Sequence, residues 1–245
     1  MEQFKKKAIK KYVFIFFIIF IFLISIFLMI KYQVEGEKDM PFKLKEIIIK
    51  SSINYKDIKG KELWNLELSQ DNDVYIYIEK TSQNEEDKIE NIKIENIKIN
   101  TELKVGELKV YLPTDNEIET MFKNSKENYL DKAIVYKAGE NDNLETNEIN
   151  KNGGMMCFRI ATENIGTYSS SKAKEVTYDG DFLKELGISE DDLVYNISFD
   201  FVIETADGVK YRTTLNYDLP VDKFGNSNSK SRIINDFSDL IFKRD

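Results

Sequence analysis

The 245-residue chain contains no histidine, one cysteine, one tryptophan and three prolines. Without histidine there is no Ser-His-Asp or Cys-His nucleophile system, no imidazole proton shuttle and no ordinary zinc site. The lone Cys157 cannot close an intramolecular disulfide, so any folded domain must be stabilised by its core. Its neighbours Met155, Met156 and Phe158 are apolar, which places the thiol in packing rather than in chemistry. Positive charge is scarce beyond Lys31: 29 of the 35 basic residues lie there against 42 of the 43 acidic ones, a net charge of −13. So acidic a region lacks the clustered Lys and Arg that phosphate neutralisation requires, which excludes nucleic acid as a partner.

What is present in excess is a run of apolar residues. Tyr12 to Ile30 is nineteen residues without a charge, with only Tyr12 and Ser25 polar. At 1.5 Å per residue it covers about 28 Å, close to the hydrocarbon thickness of a bilayer. Met29-Ile30-Lys31-Tyr32-Gln33 lacks the small residues of a signal-peptide cleavage site, so the run reads as a retained anchor. A type IV pilin leader is excluded by Lys11 and Phe16, which stand where that leader carries Gly and Glu. Lys5, Lys6, Lys7, Lys10 and Lys11 flank the run on one side only, which predicts a cytoplasmic N-terminus and an extracellular C-terminal domain. The expected organisation is a basic cytoplasmic tail (1–11), a transmembrane helix (12–30), a polar stem (31–40) and an extracytoplasmic domain (41–245).

The outer region reads as β-rich. Lys43 to Ile49 and Asp73 to Glu79 are β-branched and aromatic, and the second alternates with Val74, Ile76 and Ile78 on one face. Residues 88–99 repeat Ile-Glu-Asn-Ile-Lys, with isoleucines at 89, 92, 94, 97 and 99; steps of three and two suggest a bulged strand or two short ones. Further strands are expected at Leu103 to Val105, Leu108 to Leu112, Ala133 to Lys137 and Met155 to Thr162. Thr114-Asp115-Asn116-Glu117 matches a capping box, with Ile118, Met121, Phe122 and Tyr129 on one face, which predicts a helix over 114–130. A second, shorter helix is expected at Phe182 to Leu186, ended by Gly187.

A hairpin is legible near residue 207. Tyr195, Ile197, Phe199, Phe201 and Ile203 are apolar at odd positions, as are Val209, Tyr211, Leu215, Tyr217 and Leu219. A two-residue turn would set the apolar face of one strand beside the polar face of the other. A three-residue loop, Ala206-Asp207-Gly208, instead pairs Thr205 with Val209, Ile203 with Tyr211, Phe201 with Thr213 and Phe199 with Leu215, with Gly208 at positive φ. The fold class is therefore mainly β: an N-terminal transmembrane helix followed by an antiparallel β-sandwich-like domain with one or two peripheral helices. The immunoglobulin landmarks are missing, since Trp64 has no cysteine partner.

No catalytic, cofactor-binding or metal-ligating residue emerges. Ser171-Lys172-Ala173-Lys174 and Ser227-Asn228-Ser229-Lys230 fit S-x-x-K, but no S-D-N or K-T-G element follows. Asp71-Asn72-Asp73, Glu140-Asn141-Asp142-Asn143 and Glu190-Asp191-Asp192 offer oxygen ligands for calcium without the spacing of an EF-hand, and read as solvated turns. Asn196-Ile197-Ser198 is a glycosylation sequon inside a predicted strand. Tyr75, Tyr77, Tyr111, Tyr136, Tyr211 and Tyr217 would form a carbohydrate platform only if they shared an exposed face, and packing at sheet rims is the simpler reading.

At Met40-Pro41-Phe42-Lys43-Leu44-Lys45, Tyr75-Ile76-Tyr77-Ile78-Glu79-Lys80, Asn164-Ile165-Gly166-Thr167-Tyr168, Asp218-Leu219-Pro220-Val221 and Ile241-Phe242-Lys243-Arg244, the chain resembles uncharacterised single-pass membrane proteins of low-GC Gram-positive bacteria. The resemblance covers most of the outer domain. It implies a bacterial membrane protein and no particular activity, cofactor or site residue. The expected role is a non-enzymatic, membrane-anchored binding or scaffold protein of the envelope, with the membrane and a protein or envelope component as partners. The alternatives are a histidine-free carboxylate hydrolase of cell-wall glycans and a calcium-stabilised adhesin module.

Overall fold

The computed structural model describes residues 2–58, 64–140, 144–170, 181–224 and 229–245. Its first element, α1 (Glu2–Glu35), contains the apolar run, and the side chains from Tyr12 to Ile30 are exposed apart from the contacts of the helix with itself. Tyr12–Glu35 is long and apolar enough to cross a membrane. Such a segment must satisfy every polar group internally. The hydroxyl of Ser25 does so, donating to the Ile21 carbonyl at 2.9 Å.

The helix continues through half of the expected stem and stops at Gly36, whose φ of +71° provides a left-handed cap. A Cβ at Gly36 would lie 2.6 Å from the Phe242 carbonyl oxygen, so the position is restricted to glycine by conformation and by space. The chain is then held against its own C-terminus. Glu37 N–H donates to the Phe242 carbonyl at 2.8 Å, Arg244 approaches Glu37 at 3.5 Å, and the Tyr32 hydroxyl and Gln33 side chain contact Arg244 and Lys243. Within residues 31–40, Tyr32, Gln33 and Glu37 are thus fastened to the segment 242–244.

Two sheets follow. In the first, β10 (Ser229–Ile234), β1 (Phe42–Asp57), β2 (Trp64–Lys80), β7 (Gly153–Ser170) and β4 (Glu107–Tyr111) lie side by side in that order. The second runs β11 (Lys243–Arg244), β9 (Lys210–Leu219), β8 (Tyr195–Thr205), β3 (Ile89–Ile99), β5 (Ile134–Gly139) and β6 (Glu148–Asn150). Every neighbouring pair is antiparallel except β5 and β6. The alternation read in the sequence decides which side chains meet between the sheets: Ile47, Ile49, Val74, Ile76, Phe158 and Ile160 from one, Ile92, Ile94, Phe199, Phe201 and Ile203 from the other. Phe158 and Phe199 join the layers edge to face, with centroids 5.6 Å apart.

The hairpin has the expected register, pairing Ile203 with Tyr211, Phe201 with Thr213 and Phe199 with Leu215. Thr205 N–H donates to the Val209 carbonyl at 2.9 Å and Gly208 has φ +83°. Strand β3 is bulged, its register against β8 shifting between Glu95 and Lys98, where Asn96 takes φ +54°. A second shift falls between Ile89 and Asn91, and the two together let isoleucines spaced by three and two all turn toward the core.

Two expected elements are absent. Residues 114–130 form turns, not a helix. The Asp115 carboxylate accepts from Glu117 N–H at 3.2 Å and from the Thr120 hydroxyl at 2.7 Å, and Thr114 N–H donates to the Met121 carbonyl at 2.7 Å. These local bonds compete with the helical ladder, and the supposed apolar stripe is not buried as one: Met121 is inside, whereas Ile118 is 74% exposed. Leu103 to Val105 forms no strand, and the chain enters β4 through Gly106 at φ +72°. The second expected helix is present as α2 (Asp181–Glu185), with Gly187 at φ +69° after it.

Candidate functional site

A dense group of ionisable side chains lies on the outer face of the five-stranded sheet. Because side chains alternate along β2, Val74, Ile76 and Ile78 point inward, while Asp71, Asp73, Tyr75 and Tyr77 point outward. The register sets Asp73 beside Arg159 and Tyr75 beside Cys157 on β7, and Tyr111 of β4 beside Arg159 from the other side. One guanidinium therefore serves two carboxylates. Arg159 Nε lies 2.6 Å from Asp73 Oδ1, and Arg159 Nη1 lies 2.8 Å from Asp71 Oδ2. Asn54 Nδ2 donates to the same Asp71 oxygen at 2.7 Å, and the Phe122 ring covers the guanidinium at 4.3 Å.

Burial of Asp71 raises its carboxyl pKa, more than the Arg159 charge lowers it. Glu163 shows the opposite balance: burial pushes it up, but hydrogen bonds from Lys109 at 2.7 Å and Tyr111 at 2.6 Å bring it net below the usual range. Cys157 is buried and its thiol is pushed well up by desolvation, so it is a poor nucleophile. The arrangement is self-satisfied. Asp71 and Asp73 share a cation and Glu163 is held by Lys109 and Tyr111, so none stands as a free base beside an open acid.

A second polar group is enclosed where the inward side of β2 changes character. Asn72 is fully buried; its Oδ1 accepts from Ser51 Oγ at 2.6 Å and from Gln70 Nε2 at 2.7 Å, and its Nδ2 faces the Ile160 carbonyl and Tyr195 hydroxyl at 3.3 Å. The triplet Asp71-Asn72-Asp73, expected as a solvated turn, instead lies within β2, where alternation turns Asn72 inward and the two aspartates outward. In Glu190–Asp192, a 3-10 turn, Asp192 accepts from Ser189 N–H at 2.9 Å and Asp191 pairs with Lys223 at 3.1 Å. Glu140 pairs with Lys151, and 141–143 lie outside the described residues. Among the described residues no three acidic or cysteine side chains converge as a metal site. Ser171 to Lys174, Ser227 and Asn228 also lie outside the described residues, as does the Trp64 side chain.

The six tyrosines share no face. Tyr136 and Tyr211 are buried, Tyr75, Tyr77 and Tyr111 are half-buried on the outer face of the first sheet, and Tyr217 is half-buried on the inner side of the second. A cleft of ≈ 440 Å³ opens at the foot of α1, where Glu35 and Glu37 meet Phe42, Lys45, Phe237 and Phe242. Sequence reasoning missed Arg159, Asn54 and Phe122. Arg159 carried a signal, being one of four arginines and a charge at an outward position of a strand; Phe122 carried none, because a turn brings it over the sheet. No family model matches the chain, and comparisons with curated proteins and with solved structures find no match.

Proposed function

We propose that this is a membrane-anchored binding or scaffold protein of the bacterial envelope, with its N-terminus in the cytoplasm, its β-sandwich outside and no catalysis of its own. The observation that carries the reading is the junction. A helix long enough to span a bilayer ends at Gly36, and the next residue, Glu37, donates its N–H to the Phe242 carbonyl just before β11, which supports a sandwich presented close to the end of the span in one attitude. Fixed presentation suits a domain that must meet a partner at a set height. The lysines before Tyr12 favour the cytoplasmic side for the tail. The hydrolase reading loses support because the buried Asp71 and the partly buried Asp73 share Arg159 as an ion pair.

The test uses the inaccessibility of Cys157. In a Glu85→Cys variant, at an exposed loop position, a membrane-impermeant maleimide should label intact cells, while a Gln3→Cys variant should label only after permeabilisation. The reverse pattern overturns the orientation. Lysine crosslinking in intact cells should give a discrete heavier product; a chain that stays at its own mass under conditions that crosslink a known envelope complex overturns the binding role.

A further inference from the structure

The exposed edges of the two sheets, including the part of β9 that the two-residue β11 leaves uncovered, are treated very differently. An edge strand presents unpaired N–H and C=O groups, and folds ordinarily block them with charge, brevity or a covering segment. On β4, Val110 N–H donates to Asn128 Oδ1 at 2.9 Å and the Val110 carbonyl accepts from Tyr129 N–H at 2.8 Å, so the edge is plugged. Strand β6 has three residues. On β10, Lys230 and Arg232 pair with Ser51 and Ile49, so these two cations lie on the core-facing side, a known device against further pairing.

Strand β9 is different. Since Thr205 and Val209 form a hydrogen-bonded pair, the odd positions of β9 bond to β8 and the even ones point away. Lys210 and Arg212 are covered, the first by Asp245 N–H at 3.0 Å and the second by β11. The chain before β11 then turns aside, with Phe242 entering the core. Thr214, Asn216 and Asp218 follow, and among the described residues nothing bonds to their outward backbone groups. Thr213 to Leu219 contains no Lys, Arg, Pro or Gly, and its register with β8 is unbroken.

The surroundings give the occupant its chemistry. A strand added to β9 would direct alternate side chains toward the neighbouring sheet about 10 Å away, on the side of the sandwich where β10 carries Lys230 and Arg232. Arg159, Arg212 and Arg244 each have a carboxylate partner, whereas Arg232 has none among the described residues, in a domain where acids outnumber bases. Burial pushes up the pKa of the Tyr217 phenol, half-buried on β9 and without a hydrogen-bond partner among the described residues, and the nearby Arg232 charge opposes that rise. We propose that the free edge of β9, from Thr214 to Asp218, receives an extended acidic segment of a partner protein as an added strand, with its core-facing carboxylates set against Arg232 and Lys230. The pairing continues the ladder that β11 begins. It specifies the partner of the binding role proposed above and rests on that role.

The experiment uses the full chain in nanodiscs and three fluorescein-labelled octapeptides, (Glu-Thr)4, (Gln-Thr)4 and (Lys-Thr)4, followed by anisotropy. The glutamate peptide should bind saturably, and the lysine peptide more weakly than the glutamine one. Asn216→Pro removes an N–H that β8 does not use, so the fold should survive, checked by circular dichroism, while affinity falls about tenfold or more. Arg232→Gln should reduce the preference for glutamate over glutamine about tenfold and leave glutamine binding unchanged. Absence of glutamate-peptide binding, or binding that a folded Asn216→Pro variant retains, overturns the proposal. So does a concentration-dependent dimer abolished by Asn216→Pro, which would assign the edge to a second copy. The maleimide and crosslinking results are independent of these peptides, so the edge can fail while the envelope role stands.

Discussion

The main core and the smaller core beneath α2 use the same three strands, β1, β2 and β7, but are closed in different ways. Over the main core these strands face a second sheet, with Phe158 and Ile76 opposite Phe199 and Phe201. Beyond it they run on, and Ile53, Leu66, Leu68 and Ile165 are covered by Phe182 and Leu183 of α2 together with Leu193 and Phe224. Ser51, Gln70, Asn72, Thr162 and Tyr195 form a buried polar layer where β8 begins and the second sheet ends. This explains the lengths of 16, 17 and 18 residues for β1, β2 and β7, against about 5–6 for an ordinary strand. One part of the domain is a sandwich; the other is a sheet with a small lid.

The largest expected effect comes from the shared centre. Phe158→Ala removes the aromatic contact between the sheets and should cost about 3–5 kcal/mol, measured by denaturant unfolding of the full chain in micelles. Loss of only the residues around α2 in that variant would invert the proposed order of the two cores. Next is Arg159→Met, which leaves Asp71 buried beside Asp73 without their cation and should cost about 3 kcal/mol at neutral pH. The penalty should shrink in acid. A carboxyl whose pKa is raised by burial binds its proton more tightly in the folded state, so stability is regained as pH falls toward that raised value. A penalty that is flat with pH would show that Asp71 does not remain charged and buried.

The comparison is sharpened most directly by Leu183→Ala, with an expected loss of about 2 kcal/mol. Hydrogen exchange should accelerate at Ile53, Leu66, Leu68 and Ile165 and remain slow at Ile76 and Phe201. Equal acceleration in both groups would make the two cores one cooperative unit. The smallest effect is reserved for Gly208→Ala. Open space surrounds a Cβ there, so only the cost of positive φ remains, about 1 kcal/mol, confined to the main-core hairpin and read as a lower thermal midpoint.

Legibility in the sequence tracked the same division. The main core was visible as alternation: Val74, Ile76 and Ile78 on β2, and the odd residues of β8 and β9, whose register followed from requiring apolar faces to match across the turn. The polar layer was not, because Gln70 and Asn72 continue the inward alternation of β2 while breaking its chemistry, and only the bonds of Asn72 with Ser51, Gln70, the Ile160 carbonyl and Tyr195 make that position tenable. The 114–130 error has the same origin. Its apolar spacing was helical, but Asp115 is committed to local turn bonds, and Asn128 and Tyr129 are used by the edge of β4. Within the charged cluster the aspartates were noticed as an acidic run, yet the residue that governs them lies 86 positions beyond Asp73.

By itself the sequence determined the apolar run that can span a bilayer, the mainly β character of the rest, the left-handed glycine of the hairpin and the exclusion of histidine chemistry. Each is a local property, set by side-chain periodicity, length or composition within a few residues. Only the tertiary structure decided that α1 is fastened to the C-terminal strand, that Arg159 joins Asp71 to Asp73, that the long strands serve two cores, and that among the described residues nothing plugs the β9 edge from Thr214 to Asp218. Those are matters of register, such as where β11 stops along β9, and of which distant segments meet, and the free energy that selects them is shared among side chains no sequence window contains together.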